Sequence, residues 1–195
     1  SKTGEEKWKF STVIQGVSNG GSISSTPEIA DGIVYFGSAD KHLYALDLKT
    51  GKEKWKFETC KGRNTDDIKS SPVADGVVYF GSLDNHLYAV DSQTGEEKWK
   101  FSTGYPPFGF DKALSPAVVD GVVYFGSSDN HLYAVNSKTG KEKWRFKTGS
   151  YISSSPAVVD GVVYFGSSDN HLYAVNSKTG KEKWKFKTGN RVSSY

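Results

Sequence analysis

Residues Ser155 to Gly189 read SPAVVDGVVYFGSSDNHLYAVNSKTGKEKWKFKTG, and most of the chain is a copy of them. Residues 115 to 149 repeat the stretch with one change, Arg145 in place of Lys185, and two more diverged copies lie upstream. The tryptophans at 8, 55, 99, 144 and 184 are separated by 47, 44, 45 and 40 residues. A period of that length marks a repeat architecture, in which each unit stacks on its neighbours because it cannot bury its own apolar faces.

The unit resolves into four strands. Asp160-Gly161 between valines is a strong hairpin signal, because a primed two-residue turn needs positive φ at both positions. Val162 to Ser167 and His171 to Val175 follow as nearly continuous apolar runs, joined by Ser168-Asp169-Asn170. Continuous apolarity implies strands buried on both faces, as in a sheet sandwiched between two others. After the turn Asn176-Ser177-Lys178-Thr179-Gly180, residues Lys181 to Lys187 alternate charge with aromatic. They predict an edge strand whose lysines deter sheet-to-sheet aggregation. Four antiparallel strands per period, with one polar edge, describe an all-β protein: a β-propeller of four-stranded blades. Helical repeats are excluded, since no segment carries apolar residues at helical spacing over ten or more positions.

The 195 residues are 36% hydrophobic and 14% aromatic, with net charge +3, enough for one domain with an aromatic-rich core. No apolar run approaches the length of a membrane span, and no targeting signal is visible in the chain as given. The chain lacks an initiator Met and opens in mid-repeat, so a signal could have been removed. Lysines on the outer strands are interleaved with Glu, which points to a solvated rim and away from nucleic acid. Cys60 is the single cysteine, so no internal disulfide is available.

Taken in order, residues 1–10 correspond to the outer strand of a preceding blade. Blade one spans about 22–58, blade two 68–102, blade three 113–147 and blade four 152–187, and residues 190–195 begin a further inner strand. Four complete blades plus a partial strand at each end are therefore expected. Strand parity places the Asp-Gly hairpins and the Thr-Gly turns on one face, and the Asp-x-His turns and blade-to-blade connectors on the other. The connectors 10–27, 57–72, 101–116 and 146–156 differ in length and composition while the blades are nearly uniform. Variation confined to one face of a repeat protein commonly marks its binding surface. Arg63, Asp66, Tyr105, Phe108, Phe110 and Tyr151 are the candidate contacts, being of types that favour or flank interface hot spots, with Pro106-Pro107 stiffening their loop.

The segments Ala45 to Trp55, ALDLKTGKEKW, and Ala89 to Trp99, AVDSQTGEEKW, resemble the A-x-D-x-x-T-G-x-x-x-W tryptophan-docking motif of pyrroloquinoline-quinone-type propeller repeats. Blades three and four carry Asn136 and Asn176 at the Asp position, where an amide can still cap the turn. The resemblance implies that Trp8, Trp55, Trp99, Trp144 and Trp184 dock between neighbouring blades, near a close-approach glycine such as Gly81, Gly126 or Gly166. It also implies a periplasmic or cell-surface setting, and rings of about eight blades. Four blades would then form half a ring, so a homodimer or a longer array is expected.

Within that family the chemistry divides. Quinoprotein dehydrogenases use adjacent cysteines, a Trp beneath the cofactor, and a Ca²⁺ site near a catalytic Asp. One cysteine excludes the vicinal pair, and all five tryptophans belong to the docking motif. The expectation is a non-enzymatic, cofactor-free protein-binding or assembly scaffold, closest in character to the barrel-assembly propeller lipoprotein. A quinoprotein fragment and a consensus or engineered repeat are the alternatives. His42, His86, His131 and His171 each follow an Asp by two residues and suggest a metal ring, but the repeat itself enforces their equivalence and spaces them too widely for one ion. A hairpin role is expected. The serines at 153 to 155 lack an associated base and suit a crowded inner strand.

Overall fold

In the computed structural model the unit folds as four short strands, and it does so four times. The structure describes residues 4–12, 22–23, 25–59, 68, 72–82, 84–103, 115–152 and 154–192. Blade one comprises β1 (Glu28–Ala30), β2 (Ile33–Gly37), β3 (His42–Asp47) and β4 (Glu53–Glu58). Blade two comprises β5 (Val73–Ala74), β6 (Val77–Ser82), β7 (His86–Asp91) and β8 (Glu97–Ser102). Blade three comprises β9 (Ala117–Val119), β10 (Val122–Gly126), β11 (His131–Asn136) and β12 (Glu142–Lys147). Blade four comprises β13 (Ala157–Val159), β14 (Val162–Ser167), β15 (His171–Asn176) and β16 (Glu182–Lys187). Each sheet is an antiparallel meander in chain order, and the described residues contain no helix.

Local chemistry explains the meander. Asp160 and Gly161 sit at φ 48° and 73°, and the other three Asp-Gly pairs match them, as the primed turn demands. The second hairpin places Asn85, Asn130 and Asn170 at φ 67° to 70°, where Asn is tolerated. Blade one places Lys41 there instead, at φ 73°. A side chain without Asn's local hydrogen bonding costs more in this region, so Lys41→Asn is expected to raise stability by about 0.5–1 kcal/mol. A urea titration checks this; no gain would mean the turn is relaxed with lysine.

The Thr-Gly turns are held by an Asx cap. Asp47 Oδ1 accepts the backbone N–H groups of Lys49 and Thr50 at 3.1 and 2.8 Å. Asn136 and Asn176 make the same pair of bonds at 3.0 Å, so the amide substitutes for the carboxylate. Only the carboxylates titrate. The Lys98 ammonium at 3.0 Å and the N–H groups of Thr94 and Gln93 hold Asp91 at about 2, below the ordinary carboxylate range. Because the folded state lowers this pKa, its contribution is present at neutral pH and is lost as pH falls toward about 2. Asp91→Asn is therefore expected to flatten the stability-versus-pH curve between about pH 4 and 2. An unchanged acid limb in chemical denaturation would show that other carboxylates dominate it.

The core lies between sheets. Ile33, Tyr35, Leu43, Ala45 and Trp55 of blade one pack against Ile68, Val78, Phe80, Tyr88 and Val90 of blade two. Equivalent layers join blades two to three and three to four. A fourth, smaller layer sets Trp8 and Phe10 against Val34, Phe36, Tyr44 and Leu46 of blade one. The four sheets do not close into a ring.

Candidate functional site

Each seam between blades is built from the same few atoms. The Trp99 ring lies on the turn glycine of the next blade, so close that a Cβ on Gly140 would come within 2.7 Å of it. Its Nε1 donates to the Ser137 carbonyl at 2.9 Å. The Tyr79 hydroxyl donates to that same oxygen at 3.2 Å. One backbone carbonyl thus accepts from both the second and the fourth strands of the preceding blade. Trp55 and Tyr35 converge likewise on the Ser92 carbonyl, each at 3.0 Å, and Trp144 and Tyr124 on that of Ser177 at 2.9 and 3.2 Å. Burial pushes the hydroxyl pKa of Tyr35, Tyr79 and Tyr124 up, so they remain donors.

The glycines that receive the Trp rings are Gly51, Gly95, Gly140 and Gly180 in the turns, which corrects the expectation of Gly81, Gly126 or Gly166. The reason is geometric: the fourth strand lies at the outer rim, level with the next blade's turn. Gly126 and Gly166 lie further in and make room for Ile152 and Val192 at the start of the following inner strand. Trp55 and Trp99 are buried, Trp8 and Trp144 half-buried, and Trp184 exposed. The serines near these inner strands have a ladder role. Ser25 Oγ accepts the Gly37 N–H and donates to its carbonyl, and Ser154 Oγ accepts the Gly166 N–H at 2.6 Å.

On the connector face each Asp-x-His hairpin is tied by the same internal hydrogen bonds, and in blade four Asp169 Oδ2 also accepts the Gly149 N–H of the connector at 2.8 Å. Asp40 Oδ1 accepts the His42 backbone N–H at 3.1 Å, and Asp40 Oδ2 accepts the Tyr44 hydroxyl at 2.7 Å. The His42 ring donates from Nδ1 to the Asp40 carbonyl at 2.9 Å. The other three blades repeat the Nδ1 bond, at 2.9 to 3.0 Å. Each ring therefore spends Nδ1 on its own turn. Among the described residues no three His, Cys, Asp or Glu side chains gather as metal ligands. A shallow rim depression of about 400 Å³ includes Asp129, His131, Tyr133 and Arg145 in its lining. Burial and the Asp129 carboxylate push Tyr133 up to about 12.

Of the candidate contacts, Tyr151 is placed: half-buried, with its hydroxyl 3.4 Å from the Arg191 guanidinium, which donates to it. Arg63, Asp66, Tyr105, Phe108 and Phe110 lie outside the described residues.

Repeated sheets joined by identical seams define a β-propeller module made of tandem four-stranded blades. The chain belongs to the PQQ-like propeller repeat family: the family model described as outer membrane protein assembly factor BamB matches residues 1–109 and 84–194. No curated protein matches the chain. Among solved structures it resembles BamB from Moraxella catarrhalis, with TM-score 0.76 and 21% identity over 88% of this chain and 54% of that one. Quinohemoprotein alcohol dehydrogenase from Comamonas testosteroni aligns with TM-score 0.74 and 20% identity, over 88% of this chain and 36% of that one. The computationally designed Ika8 protein aligns with TM-score 0.70 and 19% identity, over 86% and 50%. The chain thus spans about half the length of the first of these structures and about a third of the second.

Proposed function

We propose that this chain is a non-catalytic propeller module that binds protein partners through its connector face, in an assembly role outside the cytoplasm. The observation that carries this reading is the employment of the tryptophans. Trp8, Trp55, Trp99 and Trp144 each donate to the carbonyl of a neighbouring turn, and Trp184 occupies the equivalent rim position on blade four. Four of the five tryptophans are thus engaged in seams, the fifth stands at the matching outer-rim position, and Cys60 is the single cysteine of the sequence. The match to an outer membrane protein assembly factor supplies the assembly context and the extracytoplasmic setting.

The quinoprotein reading draws on the dehydrogenase fold likeness. The near-identity of residues 115–149 and 155–189, together with the designed neighbour, favours a consensus origin as a further alternative. A two-armed experiment separates these. Adding pyrroloquinoline quinone with Ca²⁺ is expected to give no protein-bound quinone absorbance after gel filtration; a stoichiometric signal would overturn the non-catalytic reading. A photo-crosslinking residue at Tyr151 is expected to capture protein in periplasm, while one at Lys49 on the opposite face is not. Equal capture from both positions would remove the connector face from consideration, and no capture from either would favour the consensus origin.

A further inference from the structure

The described residues expose six large apolar side chains, and all six lie at the two ends of the blade stack. Ile23, Ile29 and Leu48 are on the leading side of blade one, 47%, 57% and 38% exposed. Val159, Trp184 and Phe186 are on the trailing side of blade four, 56%, 45% and 63% exposed. Every one has equivalents that are covered at an internal seam. Ile23 corresponds to Ile152, buried against Gly126, and Ile29 to Val118 and Val158, both packed in a seam. Val159 corresponds to Val119 and Ala30, and Phe186 to Phe57, which meets Phe80 and Tyr88 of the next blade at 5.8 and 5.4 Å.

The hydrogen-bonding inventory at the two ends is complementary. On blade four, Trp184 Nε1 and the Tyr164 hydroxyl are the donor pair of a seam, and among the described residues neither has an acceptor. On blade one, the Leu48 carbonyl is the acceptor of a seam, and it receives one donor, Trp8 Nε1 at 3.0 Å. The tyrosine that would be its second donor belongs to a blade ahead of blade one.

What fills the leading slot is itself a copy of what the trailing face offers. Glu6 to Phe10, EKWKF, is identical to Glu182 to Phe186. Phe10 meets Phe36 and Tyr44 at 6.1 and 5.4 Å, as Phe57 meets Phe80 and Tyr88. At the other end Val192 sits on Gly166, the place that Ile23 would take. Each slot is thus closed by a single short segment whose sequence matches the side chains left exposed at the opposite end. Neither segment is part of a sheet, and a lone segment buries less than the full blade it imitates.

We propose that blade four of one copy docks on blade one of a second copy of this chain, displacing residues 4–10 and 190–192 from the two slots. Trp184 and Tyr164 then converge on the partner's Leu48 carbonyl, and the partner's Ile23 seats on Gly166. Because the contact is head-to-tail, two copies that close on each other bring two such seams, and two chains supply about the length of the solved chains of which one covers 54% or 50%. The inference holds whether or not the connector face binds a partner.

Sedimentation of the full 195-residue chain across micromolar concentrations tests it. The expected mass is twice 21.4 kDa. Trp184→Arg and Ile23→Asp change exposed residues at opposite ends, so each is expected to return the protein to monomer with its β circular dichroism intact. Trp8→Ser vacates the slot and is expected to lower the dimer dissociation constant about tenfold, since less of the binding-competent state is masked. A wild-type monomer throughout overturns the proposal. So does a dimer that Trp184→Arg abolishes and Ile23→Asp leaves unchanged, which would indicate a merely adhesive patch. Weaker association of Trp8→Ser would overturn the displacement step.

Discussion

Trp99→Ala is expected to lower unfolding free energy by about 3–5 kcal/mol and the melting temperature by roughly 10 °C. The ring is 9% exposed, covers Gly140, meets Tyr79 at 5.9 Å and donates to the Ser137 carbonyl. Truncation removes the packing of a large side chain and halves the donors to a carbonyl held at the seam. The repeat supplies an internal control, because Trp184 occupies the same strand position but is 45% exposed. Measured where the chain is monomeric, Trp184→Ala is expected to stay within about 0.5 kcal/mol of the parent. Equal losses at the two positions would mean that the Trp acts within its own sheet, and that the seam is held by other contacts.

The second large effect is Gly140→Ala, expected to cost about 2–5 kcal/mol from two additive sources. At φ 67° any Cβ is strained, and here it would also press into the Trp99 ring at 2.7 Å. Gly121 separates the two terms. Its φ is 71°, but an added Cβ would meet only Ser137 Oγ at 3.8 Å. Gly121→Ala is therefore expected to show the backbone term alone, about 1–2 kcal/mol. Near-equal losses in thermal unfolding would show that the ring yields freely and that the glycine serves only its turn.

The hairpins were legible because their chemistry is local. Asp-Gly pairs, the Asn of the second turn and the Asx cap each depend on residues within three positions of one another. The buried strands were legible too, since Val162 to Ser167 and His171 to Val175 are apolar in succession. The seam was only half visible. A tryptophan period announced docking, but the glycine expected beneath the ring was Gly81, Gly126 or Gly166, at the end of the second strand. Which glycine lies level with the rim depends on the offset between blades, and that offset is tertiary. The tyrosine partner went unread for a related reason: Tyr35, Tyr79 and Tyr124 look like core residues in apolar strands, and the acceptor they find is a backbone oxygen 53 to 58 positions away. Each blade also carries a register shift between its third and fourth strands, at Ala45/Leu46 and its equivalents. No residue type there announces it.

The acceptor at every seam is a main-chain oxygen, and the residue that supplies it is Leu48 in blade one and Ser92, Ser137 and Ser177 afterwards. Blade order is consequently not encoded in any matched pair of side chains. An unequal crossover between the stretches encoding 115–149 and 155–189 removes or adds one blade in frame, and the new neighbours meet the same donors and the same oxygen. Copy number in such a gene can drift without a compensating mutation, so lineages carrying it should differ by whole blades more readily than by altered seams.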